Sequence, residues 1–215
     1  MGGHGFKLAQ VLIKFGVIGV VAAITIPTLV QNHRKSVIEQ KLKKFYSEIN
    51  QVIVKAEMVH GDKIDWRIQN VDDLWNIYLE PYLNYVNIKN AGSSKYIYLN
   101  DGTAFRIDIW GSNPSTEGGH FEFFPNAKDA GRTLSNSEKG VKSFMFGFWP
   151  SGTGYYRYHY GKGVEPYLAN WFGNENDFKE HSVFGCNVNA TQRQYCTILI
   201  QQNGWVIPKD YPFKF

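Results

Sequence analysis

The chain lacks the patterns by which most catalytic sites announce themselves. It has no H-E-x-x-H helix, no G-x-S-x-G elbow and no P-loop. Gly161-Lys162-Gly163 lacks both the upstream glycine and the following hydroxyl of a phosphate cradle. Six histidines are scattered, and His120 and His159 sit among aromatics, which suits packing better than catalysis. Only two cysteines occur, Cys186 and Cys196, with His181 the one imidazole nearby, a poor ligand set for a metal. Asn174-Glu175-Asn176-Asp177 offers oxygen ligands after Gly173 without the full spacing of a calcium loop, and reads as a solvated acidic turn. No cofactor and no metal are expected. Basic residues are scattered apart from one cluster, and a net charge of +4 gives no ground for nucleic-acid binding.

Charge is missing altogether between Phe15 and Val30. The apolar run extends back to Phe6, interrupted only by Lys7, Gln10 and Lys14. An apolar segment of about 20–25 residues is long enough to cross a bilayer as a helix. From Phe15 onward no polar face exists at the helical period, so the segment is expected to sit in lipid or in something that replaces lipid. A secretory signal would place basic residues first and a small-residue cleavage site last. Here the small leader Met1-Gly2-Gly3-His4-Gly5 comes first, and the one small pair, Ala22-Ala23, lies inside the span.

Gly5-Phe6-Lys7-Leu8-Ala9-Gln10, then Val11-Leu12-Ile13 and the run from Gly19 to Pro27, resemble the amino terminus of type IV pilins and type II secretion pseudopilins. The match runs from Gly5 to about Met58, roughly a quarter of the chain. In that family a prepilin peptidase cuts after the leader glycine, here Gly5, and the new terminal residue, here Phe6, is N-methylated. The apolar helices later leave the membrane and bundle into a filament core. The resemblance implies as partners the peptidase, sister subunits, an inner-membrane assembly platform and membrane lipid. It also implies that the part between Gly19 and Pro27 can lose helicity in a filament; a simple membrane-helix kink is the other reading of Pro27.

Two departures from the family stand out. Gln10 replaces the usual glutamate, whose carboxylate is thought to pair with a neighbour's terminal ammonium. An amide offers only a neutral hydrogen bond. Gln10 therefore points to a minor, tip-located subunit, or else to a tolerated substitution. Lys14 lies well inside the span and must snorkel to an interface or find an anionic partner.

The expected fold is α+β: a long N-terminal helix packed on a small antiparallel-sheet domain, type IV pilin-like. Residues 1–5 are leader, 6–30 the membrane-spanning and polymerising helix, 31–60 its amphipathic half, and 61–215 an exported globular domain. In the amphipathic half Ile38, Leu42, Phe45, Ile49, Val52, Ile53, Ala56 and Val59 recur at threes and fours, and Gly61-Asp62 is the stop. Charge counting opposes this topology, because Arg34, Lys35, Lys41, Lys43 and Lys44 follow the span while the leader has no Lys or Arg. The family's order, leader inside and domain outside, is preferred because the cysteines suit an oxidising compartment. The localisation expected is the bacterial inner membrane, then a periplasmic or cell-surface filament.

In the domain, Asn70 reads as a helix cap with Asp72 and Asp73 in the first turn and Pro81 at the end. Tyr96 to Leu99 and Thr103 to Trp110 flank Asn100-Asp101-Gly102 as a hairpin. Phe121 to Phe124 and Lys142 to Trp149 are further strands, and Tyr155 to Tyr160 is too aromatic for free loop. Cys196 to Gln202 and Trp205 to Ile207 flank Asn203-Gly204 as a second hairpin. A Cys186–Cys196 bridge, as pilins often form near this end, would contribute about 2–3 kcal/mol by restricting the unfolded chain; free thiols are the other reading. The function expected is a structural subunit, a minor pilin or pseudopilin, and not an enzyme. The alternative is a tethered or filament-tip binding protein, an adhesin or sugar-binding module, using aromatics around Trp149 to Tyr160 and Trp171-Phe172.

Overall fold

The computed structural model describes residues 4–109 and 118–215, with side chains described at 23, 25–109 and 118–215. Two units separate: residues up to Val37 with Phe215, and Ile38–Lys214. One helix, α1, is assigned over His4–His60, with Pro27 inside it. Pro27 has no N–H to donate to the Ala23 carbonyl one turn back. In the first unit Ile26, Leu29 and Val30 are exposed.

The expected membrane-spanning, pilin-like architecture is corrected in two respects. Among the described residues no helix is long and apolar enough to cross a membrane. The described part of the expected span is short, Ala23 and Thr25 to Val30, before Gln31 to Lys35 bring polar and charged groups on every side; the side chains of 6–22 lie outside the described residues. The domain is likewise not a small sheet behind a helix. It is a six-stranded antiparallel meander with several short helices around it.

In the second unit α1 buries Leu42, Phe45, Ile49, Val52, Ile53 and Ala56. Their spacing of threes and fours places them along one stripe. Val59, expected in the same stripe, is exposed because the helix ends one residue later. Gly61 stops it with φ +79° and donates its N–H to the Glu57 carbonyl at 3.0 Å.

The strands are β1 Asn87–Ala91, β2 Ser94–Tyr98, β3 Ala104–Ile109, β4 Gly119–Phe124, β5 Phe144–Phe148 and β6 Glu165–Pro166, each paired with the next. Register sets Phe105 opposite Phe123, Ile107 opposite Phe121, and Phe121 opposite Phe146. Period-two alternation turns these rings to the face that α1 covers. Phe45 enters there, its ring centroid 5.3 Å from Phe105, 4.5 Å from Phe123 and 5.2 Å from Phe146. On the opposite face Arg106 of β3 reaches Glu122 of β4 at 3.3 Å.

The Tyr96–Leu99 and Thr103–Trp110 pair is the β2–β3 hairpin, turned by Gly102 at φ +76°; Trp110 lies outside the described residues. Strand β1 at Asn87–Ala91 was not legible, since its five residues are almost all exposed and mostly polar. The Asn70 cap accepts from the Asp73 N–H at 2.9 Å, but the helix, α2 at Val71–Asp73, widens to a π-turn over Leu74–Leu79. Tyr155 to Tyr160 is a 3-10 turn spanning Gly154–His159.

The second expected hairpin is wrong. Cys196–Gln202 is a helix, α4, following the single turn α3 at Asp177–Glu180. Asn203-Gly204 caps α4 instead of turning a strand: Gly204 adopts φ +71° and donates to the Gln201 carbonyl at 2.9 Å. Buried Cys196, Thr197, Ile198 and Ile200 make an apolar run that periodicity alone does not separate from a strand.

Phe45→Ala should destabilise the second unit by about 3–5 kcal/mol through the cavity it leaves. Denaturant unfolding followed by tryptophan fluorescence measures this, and a loss below about 1 kcal/mol would mean that Phe45 is not central to the core.

Candidate functional site

The expected processing and assembly residues Gly5, Phe6, Gln10 and Gly19 have side chains outside the described residues, although α1 is assigned through them. Pro27, also expected to act in assembly, lies inside α1 between exposed Ile26 and Leu29.

A second apolar surface lies on the far side of α1 in the domain. Val54 and Met58 are exposed, Met58 at 80%. With Tyr46 and Trp205 they line an open groove of about 640 Å³, with Lys43 and Lys55 also on its walls. The Tyr46 ring lies 5.0 Å from that of Trp205, tilted 40° to it, and its hydroxyl donates to Glu165 at 2.9 Å. Burial first, then the Glu165 carboxylate, pushes the Tyr46 phenol up to about 12.

Gly161-Lys162-Gly163 has a packing role. A Cβ on Gly163 would lie 2.0 Å from the Asn50 amide oxygen. The Asn50 side chain, on α1, makes a two-way clamp with the chain beyond: it donates to the Val164 carbonyl at 2.8 Å and accepts from the Val164 N–H at 2.9 Å. Lys162 lies 3.5 Å over the Tyr158 ring.

The cysteines expected to pair do so: Cys186 and Cys196 form a disulfide with Cα atoms 4.6 Å apart. Both are buried, and the Cys186 N–H donates to the Phe178 carbonyl at 2.8 Å. The bridge ties the start of α4 to the segment after α3. Next to it, Asn174 donates to Asp177 at 3.1 Å, so the acidic turn closes on itself. Among the described residues no group of three His, Cys, Asp or Glu side chains is placed to hold a metal ion.

The aromatic surface divides. Trp149 is 0% exposed and stacks at 4.0 Å on Tyr156, within a second core that contains Tyr167, Leu168, Phe178, Tyr195 and Ile198. It is therefore unavailable as a sugar platform, whereas Tyr155, Tyr160 and Phe172 remain exposed and Arg157 lies 4.5 Å over the Phe172 ring. His159 is fully buried, and His120 is half-buried with its ring 5.1 Å from that of Trp149. His159 accepts the Leu168 N–H on Nε2 at 3.3 Å, which puts the proton on Nδ1. Burial holds both imidazoles neutral, lowering His120 to about 4 and His159 to about 3. Arg193, which no sequence pattern singles out, is 9% exposed and left-handed at φ +55°.

A family model described as a family of unknown function, DUF6613, matches residues 28–215. No curated protein and no solved structure matches the chain.

Replacing Cys186 and Cys196 by serine should cost about 2–3 kcal/mol, from the loop of ten positions released in the unfolded chain. Comparing oxidised, reduced and double-serine protein in one denaturant series measures it. Stability should also fall with acid. The unfolded imidazoles protonate near 6.5 while His120 and His159 resist until about 4 and about 3, so the unfolded state binds more protons in between. The contribution is complete above about pH 6.5 and declines as pH drops through that window. His120→Phe should narrow the difference between unfolding midpoints at about pH 7 and about pH 4.5; an unchanged difference would count against a buried neutral His120.

Proposed function

We propose that this chain, which belongs to the DUF6613 family, is a structural subunit of a bacterial filament of the type IV pilus or type II secretion kind. In this reading a prepilin peptidase cleaves it after Gly5, Phe6 is methylated, and subunits assemble through the N-terminal helix. The support is the order and spacing from Gly5 to Pro27, a segment separate from the part that the family match covers.

One structural observation carries the reading further. Ile26, Leu29 and Val30 are exposed on α1, while the domain from Ile38 onward has its own cores around Phe45 and Trp149. The exposed residues are thus not required to fill the domain core, and sister helices are a natural cover for them. A disulfide stapling the C-terminal end suits a domain held outside the cytoplasm. The role proposed is assembly, with the peptidase, sister subunits and an inner-membrane platform as partners. A filament-tip binding role is the second reading, favoured by exposed Tyr155, Tyr160 and Phe172.

Expression beside a prepilin peptidase, followed by mass spectrometry of the mature terminus, should find Phe6 first and carrying one methyl group. Persistence of residues 1–5 with an active peptidase present would overturn the reading.

A further inference from the structure

The loop that the disulfide closes carries one short pattern that neither the fold nor the assembly reading uses. From Cys186 the chain runs Asn187-Val188-Asn189-Ala190-Thr191 on its way to Cys196. Asn189-Ala190-Thr191 is an asparagine with a hydroxyl residue two positions on and no proline between, the acceptor pattern for N-linked glycans. No other asparagine of the chain has it: Asn113-Pro114-Ser115 comes nearest, and its proline blocks it.

Such a pattern is usable only where its polar groups can be reached. Asn189 and Thr191 are exposed, and Ala190 between them is 2% exposed and seats the turn on the domain. Neither the Asn189 carboxamide nor the Thr191 hydroxyl has a hydrogen-bond partner among the described residues, so engaging them breaks nothing.

The loop is held from beneath by other residues. The Asn187 Oδ1 accepts the N–H groups of Asn189 at 2.9 Å and of Ala190 at 2.8 Å, while its Nδ2 donates to the Lys179 carbonyl. Arg193 donates to the Val188 carbonyl at 2.9 Å, and the disulfide joins the two ends. The base is thus fixed and the acceptor amide is left to solvent. A disulfide and an N-linked glycan also belong to the same side of a membrane, since both are made outside the cytoplasm.

We propose that Asn189 is the acceptor of an N-linked oligosaccharide, transferred from a lipid-pyrophosphate donor by a membrane oligosaccharyltransferase. The Asn189 Nδ2 bonds to the anomeric carbon of the first sugar, and the bond from that carbon to the pyrophosphate oxygen breaks. Lipid pyrophosphate leaves, one Nδ2 proton passes to a base of the transferase, and nothing is oxidised or reduced. The Thr191 hydroxyl is the group by which the transferase places the amide. The glycan adds a bulky, solubilising cover beside exposed Val188 on the same turn. Glycosylation here requires only the part of the filament reading that puts the domain outside the cytoplasm, and not polymerisation.

The test takes the full chain from its native membranes, reduces and alkylates it, and weighs the tryptic peptide from Glu180 to Arg193. That peptide should be heavier by an oligosaccharide attached at Asn189. Asn189→Gln and Thr191→Ala, both at exposed side chains, should each abolish the added mass, whereas Thr191→Ser keeps a hydroxyl and should retain it. Protease added outside the inner membrane of the same cells reports where the domain lies. A domain digested from outside with a bare peptide overturns the glycan alone, as does added mass that survives Asn189→Gln. A bare peptide on a domain protected inside the cell overturns the glycan and the filament reading together. A glycan at Asn189 on a chain that keeps residues 1–5 upholds the acceptor and overturns the filament reading.

Discussion

The insertion of one helical stripe between the rings of a twisted sheet is the contact on which the domain depends. Phe45 meets rings from three consecutive strands, Phe105, Phe123 and Phe146, and those strands present them together only because their register is in phase. A slip of one residue in any pair would turn the rings to the other face. The Asn50 clamp on Val164 adds direction to this greasy contact, since an amide bonded to both the N–H and the C=O of one residue tolerates little sliding. Gly163 is the close approach that permits it.

A second core on the other side of the sheet is built differently. It consists largely of aromatic rings, with two neutral imidazoles among them and a disulfide at its edge. Rings carrying a polar tip need partners inside, and several find backbone carbonyls, as the Tyr195 hydroxyl does at Ala169. Partners run out at Trp149 Nε1 and His159 Nδ1 within this core, and at Arg193 and Gln194, which line a small cavity near the disulfide. The disulfide, the left-handed Arg193 and the cavity are thus parts of one arrangement.

The functional reading draws on two regions with different physics. The amino-terminal segment speaks through order and spacing, because the peptidase and sister helices proposed for it would read local sequence. The domain's aromatics at Tyr155, Tyr160 and Phe172 speak only through exposure, which no local pattern reveals. Strand alternation at Phe121–Phe124 and the helical stripe from Leu42 to Ala56 were legible because burial on one face imprints a period on the chain. The exposed strand Asn87–Ala91 carried no such imprint.

Asn203-Gly204 shows where the division falls. The dipeptide by itself required a left-handed residue and hence a reversal, but whether that reversal closed a hairpin or capped a helix depended on what lay around the preceding residues. Burial of Cys196, Thr197, Ile198 and Ile200 against the second core decided for the helix. The chain alone determined the apolar amino-terminal segment, the amphipathic stripe and the turn positions, since each is a property of neighbouring residues. The tertiary structure alone decided the six-strand order, the loss of Trp149 from the surface and the pairing of Cys186 with Cys196 at the edge of the second core, because these depend on residues brought together by packing.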